Sequence, residues 1–158
     1  MSERPAGDAR GEVPAVQVMS LVPVFSSPDD PSRHIRMLLD HHTVGSTSFT
    51  LGVLTLEPGA ATPQSQHSEE EGYLVLSGEA QLELRERRFG LRPGHAVFIP
   101  PGMPHRFINA SADATHLVWV MSPPASLQSW RAWGTDRSSV VMGSAGVVST
   151  TLFEEKTT

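Results

Sequence analysis

Apolar and polar residues alternate along this chain with a period of two, the spacing of half-buried strands. VQVMSLVPVF (16–25) is a candidate first strand, closed by the turn-forming SSPDDPS, and HIRMLLD (34–40) is a second. In TSFTLGVLTLE (47–57), Phe49, Leu51 and Val53 alternate before the apolar phase slips to Leu54 and Leu56, which predicts a bulge near Gly52. GYLVL (72–76) is a continuous apolar run of the buried-strand type. Beyond the turn at Ser77-Gly78, Leu82 and Leu84 alternate with Gln81, Glu83 and Arg85. HAVFIP (95–100), HRFIN (105–109) and THLVWVM (115–121) complete the set. No stretch before residue 125 has the spacing of an amphipathic helix. Eight or nine short strands between Pro, Gly and Asp turns predict an all-β fold, a closed antiparallel barrel or jelly roll.

The ends read differently. Residues 1–14 are rich in Gly, Pro and charge and predict a flexible tail, so the barrel domain is expected over 15–125. After Pro123-Pro124, SLQSWRAW (126–133) predicts a short helix with Trp130 and Trp133 on one face, capping one end of the barrel. The rest of 126–158 predicts an extension that is either disordered or paired along another subunit.

Composition narrows the function classes. The chain has 158 residues, 12 Lys+Arg against 17 Asp+Glu, and a net charge of −5, so nucleic acid and anionic membrane are poor partners. With no cysteine there is no disulfide framework, no Cys-ligated zinc and no thiol nucleophile, which suits a reducing cytoplasm. The N-terminus lacks the apolar core of a signal peptide, and no apolar run is long enough to span a bilayer. A soluble cytoplasmic protein is expected.

Two stretches carry candidate chemistry, GAATPQSQHSEEEGYLVLSG (59–78) and GHAVFIPPGMPHRFIN (94–109). Gly94 and Gly102 flank a turn that Pro100, Pro101 and Pro104 stiffen, so a side chain leaving it at His105 has little freedom. His67 and Glu71 flank a short polar turn between strands and can converge beside His105. Two imidazoles and a carboxylate in a buried space suit a cation, because an unpartnered buried carboxylate is costly. Singly, each has a plainer reading: His67 as a turn residue, Glu71 as part of the wet run 69–71, His105 as a strand-end histidine. His34, His41, His42 and His95 are read as surface or strand-end residues. His116 is the further histidine placed toward the cavity. Alternation makes Phe49, Leu51, Tyr73, Phe107, Trp119 and Met121 candidate cavity wall, suited to a flat hydrophobic molecule. Core packing explains each of those six as well.

The two stretches resemble the paired signature motifs of the cupin superfamily. Gly94, Pro100, Gly102, His105 and Asn109 match the second motif at every fixed position. Gly59, His67, Glu71 and Gly78 match the first, but Ser65 stands where its first histidine usually does. The resemblance, over about residues 47–121, implies a cupin jelly roll with one divalent metal per chain (Fe, Zn, Mn or Ni) held by His67, Glu71 and His105. The options for the place of the missing imidazole are an oxygen from Ser65, Gln64 or Gln66, a water, or a site that no longer holds metal. Two histidines and one carboxylate with open positions suit Fe(II) oxygen chemistry, though Mn, Ni or Zn also bind such a set. Glu71 and His105 are the candidate catalytic groups.

IRMLLDHHTVGSTSFTLGVLTLEPG (35–59) is similar to small single-domain cupins of aromatic polyketide pathways, regarded as cyclases or helpers of cyclisation. That resemblance implies a metal-dependent enzyme acting on a hydrophobic, enolisable small molecule. The alternatives are a quercetinase-like dioxygenase and a non-catalytic small-molecule-binding cupin with a degenerate site. A homodimer is expected, with the tail or the first strand crossing to the partner.

Overall fold

The computed structural model of the chain describes residues 17–124 and the backbone of 134–136. Ten strands lie among the described residues: β1 (Val24–Ser26), β2 (Arg33–Leu39), β3 (Thr50–Leu56), β4 (Glu70–Ser77), β5 (Ala80–Leu84), β6 (Arg87–Leu91), β7 (Ala96–Ile99), β8 (His105–Ile108), β9 (Thr115–Ser122) and β10 (Gly134–Asp136). They form two antiparallel sheets, one ordered β10-β1-β2-β3-β9-β4-β7 and one ordered β6-β5-β8. The jelly-roll architecture is as the sequence predicts. Among the described residues, however, it is a pair of sheets, and no continuous hydrogen-bonded barrel closes around the core.

The small sheet gains a partner in the segment leading to β4. Ala61 bridges Ile108 and Ser65 bridges His105, so residues 59–65 run antiparallel beside β8. Gly59 N–H donates to the Asn109 carbonyl, and Thr62 N–H to the Phe107 carbonyl. The chain then crosses to the large sheet and enters β4. One end of the space between the sheets is thereby lined by both.

Pairing fixes which side chains face inward. Glu71, Met121 and Thr50 lie opposite one another across β4, β9 and β3, and Tyr73, Trp119 and Gly52 form the next inward row. The core under these rows is built from Ile35, Leu56, Leu82, Ile99, Phe107 and Leu117, all nearly solvent-free. Burying each such side chain is worth about 1.5–3 kcal/mol. Gly52 has a packing role: a Cβ there would sit 2.9 Å from the Trp119 ring and 2.6 Å from the Arg36 carbonyl oxygen. Its missing side chain lets the indole lie flat against β3.

Several sequence expectations need correction. Residues 19–21 form a 3₁₀ turn and only Val24–Ser26 are strand, because Pro23 has no N–H to give a ladder. The slip expected near Gly52 falls on its neighbour: Met37 pairs with Gly52 and Leu39 with Leu51, leaving Leu38 as the extra residue in β2. GYLVL is buried on one face only, with Leu74 and Leu76 exposed. His41–Val44 is one turn of α-helix, which the alternation of apolar residues does not announce; Asp40 and Thr43 cap it reciprocally. The proposed helix at 126–133 and the tail at 1–14 lie outside the described residues. Among the described residues no helix is long and apolar enough to cross a membrane.

Candidate metal centre

Each of the three metal-ligand candidates comes from a different element. His105 opens β8 in the small sheet, Glu71 is the second residue of β4 in the large sheet, and His67 lies on the segment crossing between them. His105 Nε2 is 3.0 Å from Glu71 Oε2, and His67 Nε2 is 3.4 Å from the same oxygen. One nitrogen or oxygen from each residue falls within 4.8 Å of the others, a separation one ion can bridge. The imidazoles stand edge to face, centroids 5.2 Å apart.

The Pro-Gly loop holds this arrangement. Gly102, at φ 72°, takes the left-handed turn that the sequence requires of it. Its N–H donates to the His67 carbonyl at 2.7 Å, and its own carbonyl accepts from Gln66 Nε2 at 3.1 Å. Ser65 and His105 exchange both backbone hydrogen bonds at 2.9 Å. The His67 segment is therefore stitched to the His105 loop at three places. Asn109 anchors the far end of β8. Its Nδ2 donates to the Leu56 and Asp113 carbonyls, and its Oδ1 accepts from Ser111 N–H and Oγ–H.

Hydrogen bonding orients the His105 ring toward Glu71. His105 Nδ1 lies 2.9 Å from the Met103 carbonyl oxygen, which can only accept, so Nδ1 carries a hydrogen. That leaves Nε2 facing Glu71, either as a lone pair or as a second N–H. Burial works against the charged ring, but the Glu71 carboxylate and the Met103 carbonyl outweigh it, and the net shift of His105 is upward. Glu71 is 4% exposed, and its Oε2 makes no well-directed hydrogen bond among the described residues. A buried carboxylate oxygen between two ring nitrogens, with no hydrogen bond of its own, fits a metal-ligand set.

Ser65 settles less. It lies directly opposite His105 in the bridge and two residues before His67, so all three backbone positions present the same face. Its hydroxyl makes only a long contact, 3.4 Å, to the Pro63 carbonyl. Gln64 and Gln66, the other oxygen candidates, are both exposed, and Gln66 donates its Nε2–H to the Gly102 carbonyl.

The wall candidates divide by face. Tyr73, Trp119 and Met121 lie on the inner face of the large sheet with Glu71, and Phe107 faces them from β8, its ring 4.4 Å from Tyr73. Burial and then the adjacent Glu71 carboxylate push the Tyr73 phenol well above its ordinary range, so it keeps its proton. Leu51 and His116 point the other way. Leu51 pairs with Val120 and His116 with Thr55, both in outward rows, and His116 Nδ1 contacts Ser77 Oγ at 3.0 Å. Phe49 is exposed ahead of β3. Strand parity separates 116 from 119 and 121, and the inward phase of β3 is Thr50, Gly52, Leu54 and Leu56.

Two contributors were missed in the sequence reading. Glu69 sits 3.3 Å from His67 Nδ1 although the glutamate run reads as a wet face. The Met103 carbonyl is a backbone group, and no residue type announces it.

Residues 52–121 match the family described as Cupin domain. The chain belongs to the cupin superfamily. It is 33% identical over 92 residues to the polyketide synthase CurC of Streptomyces cyaneus, covering 58% of this chain and 60% of CurC. It is 32% identical over 92 residues to protein SchB of Streptomyces halstedii, covering 58% of this chain and 67% of SchB. Among solved structures, it is similar to the polyketide cyclase RemF of Streptomyces resistomycificus, with 27% identity and a TM-score of 0.54 over 77% of this chain and 80% of RemF.

Proposed function

We propose that this cupin is a metal-dependent enzyme acting on a hydrophobic, enolisable small molecule in a polyketide-cyclase-like reaction. The observation that carries the reading is the convergence of His67, Glu71 and His105 at one end of an apolar, aromatic inner face. The names of CurC and RemF support the substrate class.

In this reading His67, Glu71 and His105 hold one divalent ion. When bound, the ion supplies Lewis acidity toward a carbonyl oxygen. The chain does the rest. The Met103 carbonyl fixes the His105 tautomer so that Nε2 faces the site. Tyr73, Phe107, Trp119 and Met121 form the apolar, water-excluding wall beside the three ligands. With both His105 nitrogens committed, to the ion and to the Met103 carbonyl, the second carboxylate oxygen of the buried Glu71 is the group assigned to accept and return the proton of an acidic C–H, and His105 orients the ion beside it.

One specific observation favours a second reading. Two histidines with one carboxylate are the donor set of non-haem Fe(II) oxygen chemistry, so a quercetinase-like dioxygenase is the alternative. Incubating the Zn- or Fe-loaded chain with an enolisable aromatic β-diketone separates the two. The lead reading expects α-proton exchange or ring closure above the uncatalysed rate, without oxygen uptake. Oxygen consumption with Fe would favour the dioxygenase. Neither activity with any metal would leave a binding module and end the enzymatic reading.

A further inference from the structure

The hairpin of β5 and β6 brings two unpaired cations to the end of the small sheet where His105 lies. Cross-strand pairing places Arg87, Leu84 and His105 in one row across β6, β5 and β8, and Phe89, Leu82 and Phe107 in the next. Leu82, His105 and Phe107 are buried, so these rows form the inner face of the sheet. Arg87 stands at the exposed edge of that face, on the outermost strand. Its guanidinium lies over the Phe89 ring, 5.0 Å from the centroid. Arg85 occupies the hairpin turn, and its N–H donates to the Pro104 carbonyl, next to His105, at 3.2 Å. The hairpin tip is thereby tied to the loop that holds His105.

The other arginines among the described residues have different tasks. Arg33 reaches Ser27 Oγ at 2.9 Å and Asp30 at 3.5 Å, and Arg36 donates to the Val22 carbonyl at 2.7 Å. Arg88 pairs with Glu83 at 2.9 Å and Arg92 with Glu79 at 3.7 Å. Arg106 lies opposite Glu83 in the outward row of the small sheet. Arg85 and Arg87 make no ion pair among the described residues, in a chain that carries −5 overall. Arg85 also stands at φ 52°, a turn conformation that Gly or Asn adopts at lower cost. Protecting a sheet edge asks for a charge of either sign at 87 and for nothing at 85. Two free cations, one of them kept against its backbone preference, suit an anion.

We infer that Arg85 and Arg87 receive a carboxylate at the far end of the substrate, so that the hydrophobic, enolisable molecule is an acid. The inference rests on the proposed function, because it sets the enolisable end of that molecule at His67, Glu71 and His105. Two strand spacings of about 4.8 Å put the Arg87 backbone about 10 Å from that of His105. That separation fits a fused two-ring molecule with an enol oxygen at one end and a carboxylate at the other. Leu82, Leu84 and Phe89 pack together beneath the interval, an apolar floor for the rings. A guanidinium meets a carboxylate through two parallel hydrogen bonds, and stacking on Phe89 orients Arg87 without neutralising it.

The test is calorimetric titration of the full chain, both metal-loaded and chelator-treated, with 6-hydroxy-2-naphthoate and with its methyl ester. The acid should bind at least about tenfold more tightly than the ester, the low end of what one charge-assisted hydrogen bond is worth. Arg85→Gln and Arg87→Gln should each reduce that ratio, and the double variant should bring it to about one. Arg88→Gln, on the outward face, should leave it unchanged. Arg85→Gly should lower the ratio while raising the melting temperature, which a purely structural arginine would not do. All of these side chains are exposed, so an unchanged circular dichroism spectrum checks that the variants fold. Equal affinity for acid and ester, binding of neither, or a preference that Arg88→Gln also removes overturns the inference. So does a preference present only in the metal-loaded chain, because the carboxylate then sits on the ion. The chelator-treated chain keeps both arginines, so its ratio judges this inference, while metal uptake judges the proposed function separately.

Discussion

The two ligand stretches differ in how firmly each holds its histidine. His105 is 3% exposed, sits on a strand, donates Nδ1–H to the Met103 carbonyl and follows a loop stiffened by three prolines. His67 is a quarter exposed on a crossing segment, and its Nδ1 has only Glu69 beside it, at 3.3 Å. The second stretch keeps every fixed position of its motif; the first has Ser65 where an imidazole is usual. The difference teaches that preorganisation comes from one side of the site. His105 and Glu71 form a fixed pair, and His67 is the adjustable third ligand.

Removing members of that set should produce unequal losses. His105→Ala or Glu71→Gln should abolish metal retention through gel filtration, whereas His67→Ala should weaken binding and still leave measurable metal uptake on titration. Equal loss from all three would break the asymmetry.

Asn109 gives the next largest effect, on stability. Its side chain is fully buried and makes four hydrogen bonds, so Asn109→Ala should cost about 2–4 kcal/mol in denaturant unfolding by orphaning buried backbone groups. A change under about 0.5 kcal/mol, the range of ordinary surface substitutions, would remove Asn109 as the anchor of β8.

Ser65→His sharpens the comparison from the other side. The backbone already presents residue 65 on the face of His67 and His105, so the new imidazole should raise metal affinity at least about tenfold, the effect of even one outer-shell partner. Unchanged affinity in competition with a chelator would mean that position 65 no longer reaches the ion.

The smallest effect is on pH dependence. The His105 pKa is raised in the folded chain, so in the metal-free protein this group's stabilisation is fully present below its ordinary value of 6.5 and fades as pH rises through the folded pKa. The melting temperature of chelator-treated protein should carry a downward contribution over that window, and His105→Gln should remove it. Identical profiles for both proteins would contradict the assigned contact with Glu71.

Much of this was legible in the residues. The period of two gave the all-β class, and motif spacing brought His67, Glu71 and His105 together across two sheets. The face of each strand was less legible. Leu51 and Val53 are as apolar as Leu54 and Leu56 because the outer face of the sheet is apolar too, so alternation could not say which set faces in. The same cause placed Phe49, Leu51 and His116 in the cavity and read GYLVL as buried on both faces. The hairpin into β6 went unseen because Arg85, at φ 52°, takes a turn conformation that usually advertises itself with Gly or Asn.

The most direct test of the central claim, that these three residues form a metal site without the missing histidine, is elemental analysis of the untagged chain purified without chelator. The account predicts close to one divalent ion per chain, lost in His105→Ala. Protein that carries no metal and takes up none of Fe, Mn, Ni or Zn would contradict it.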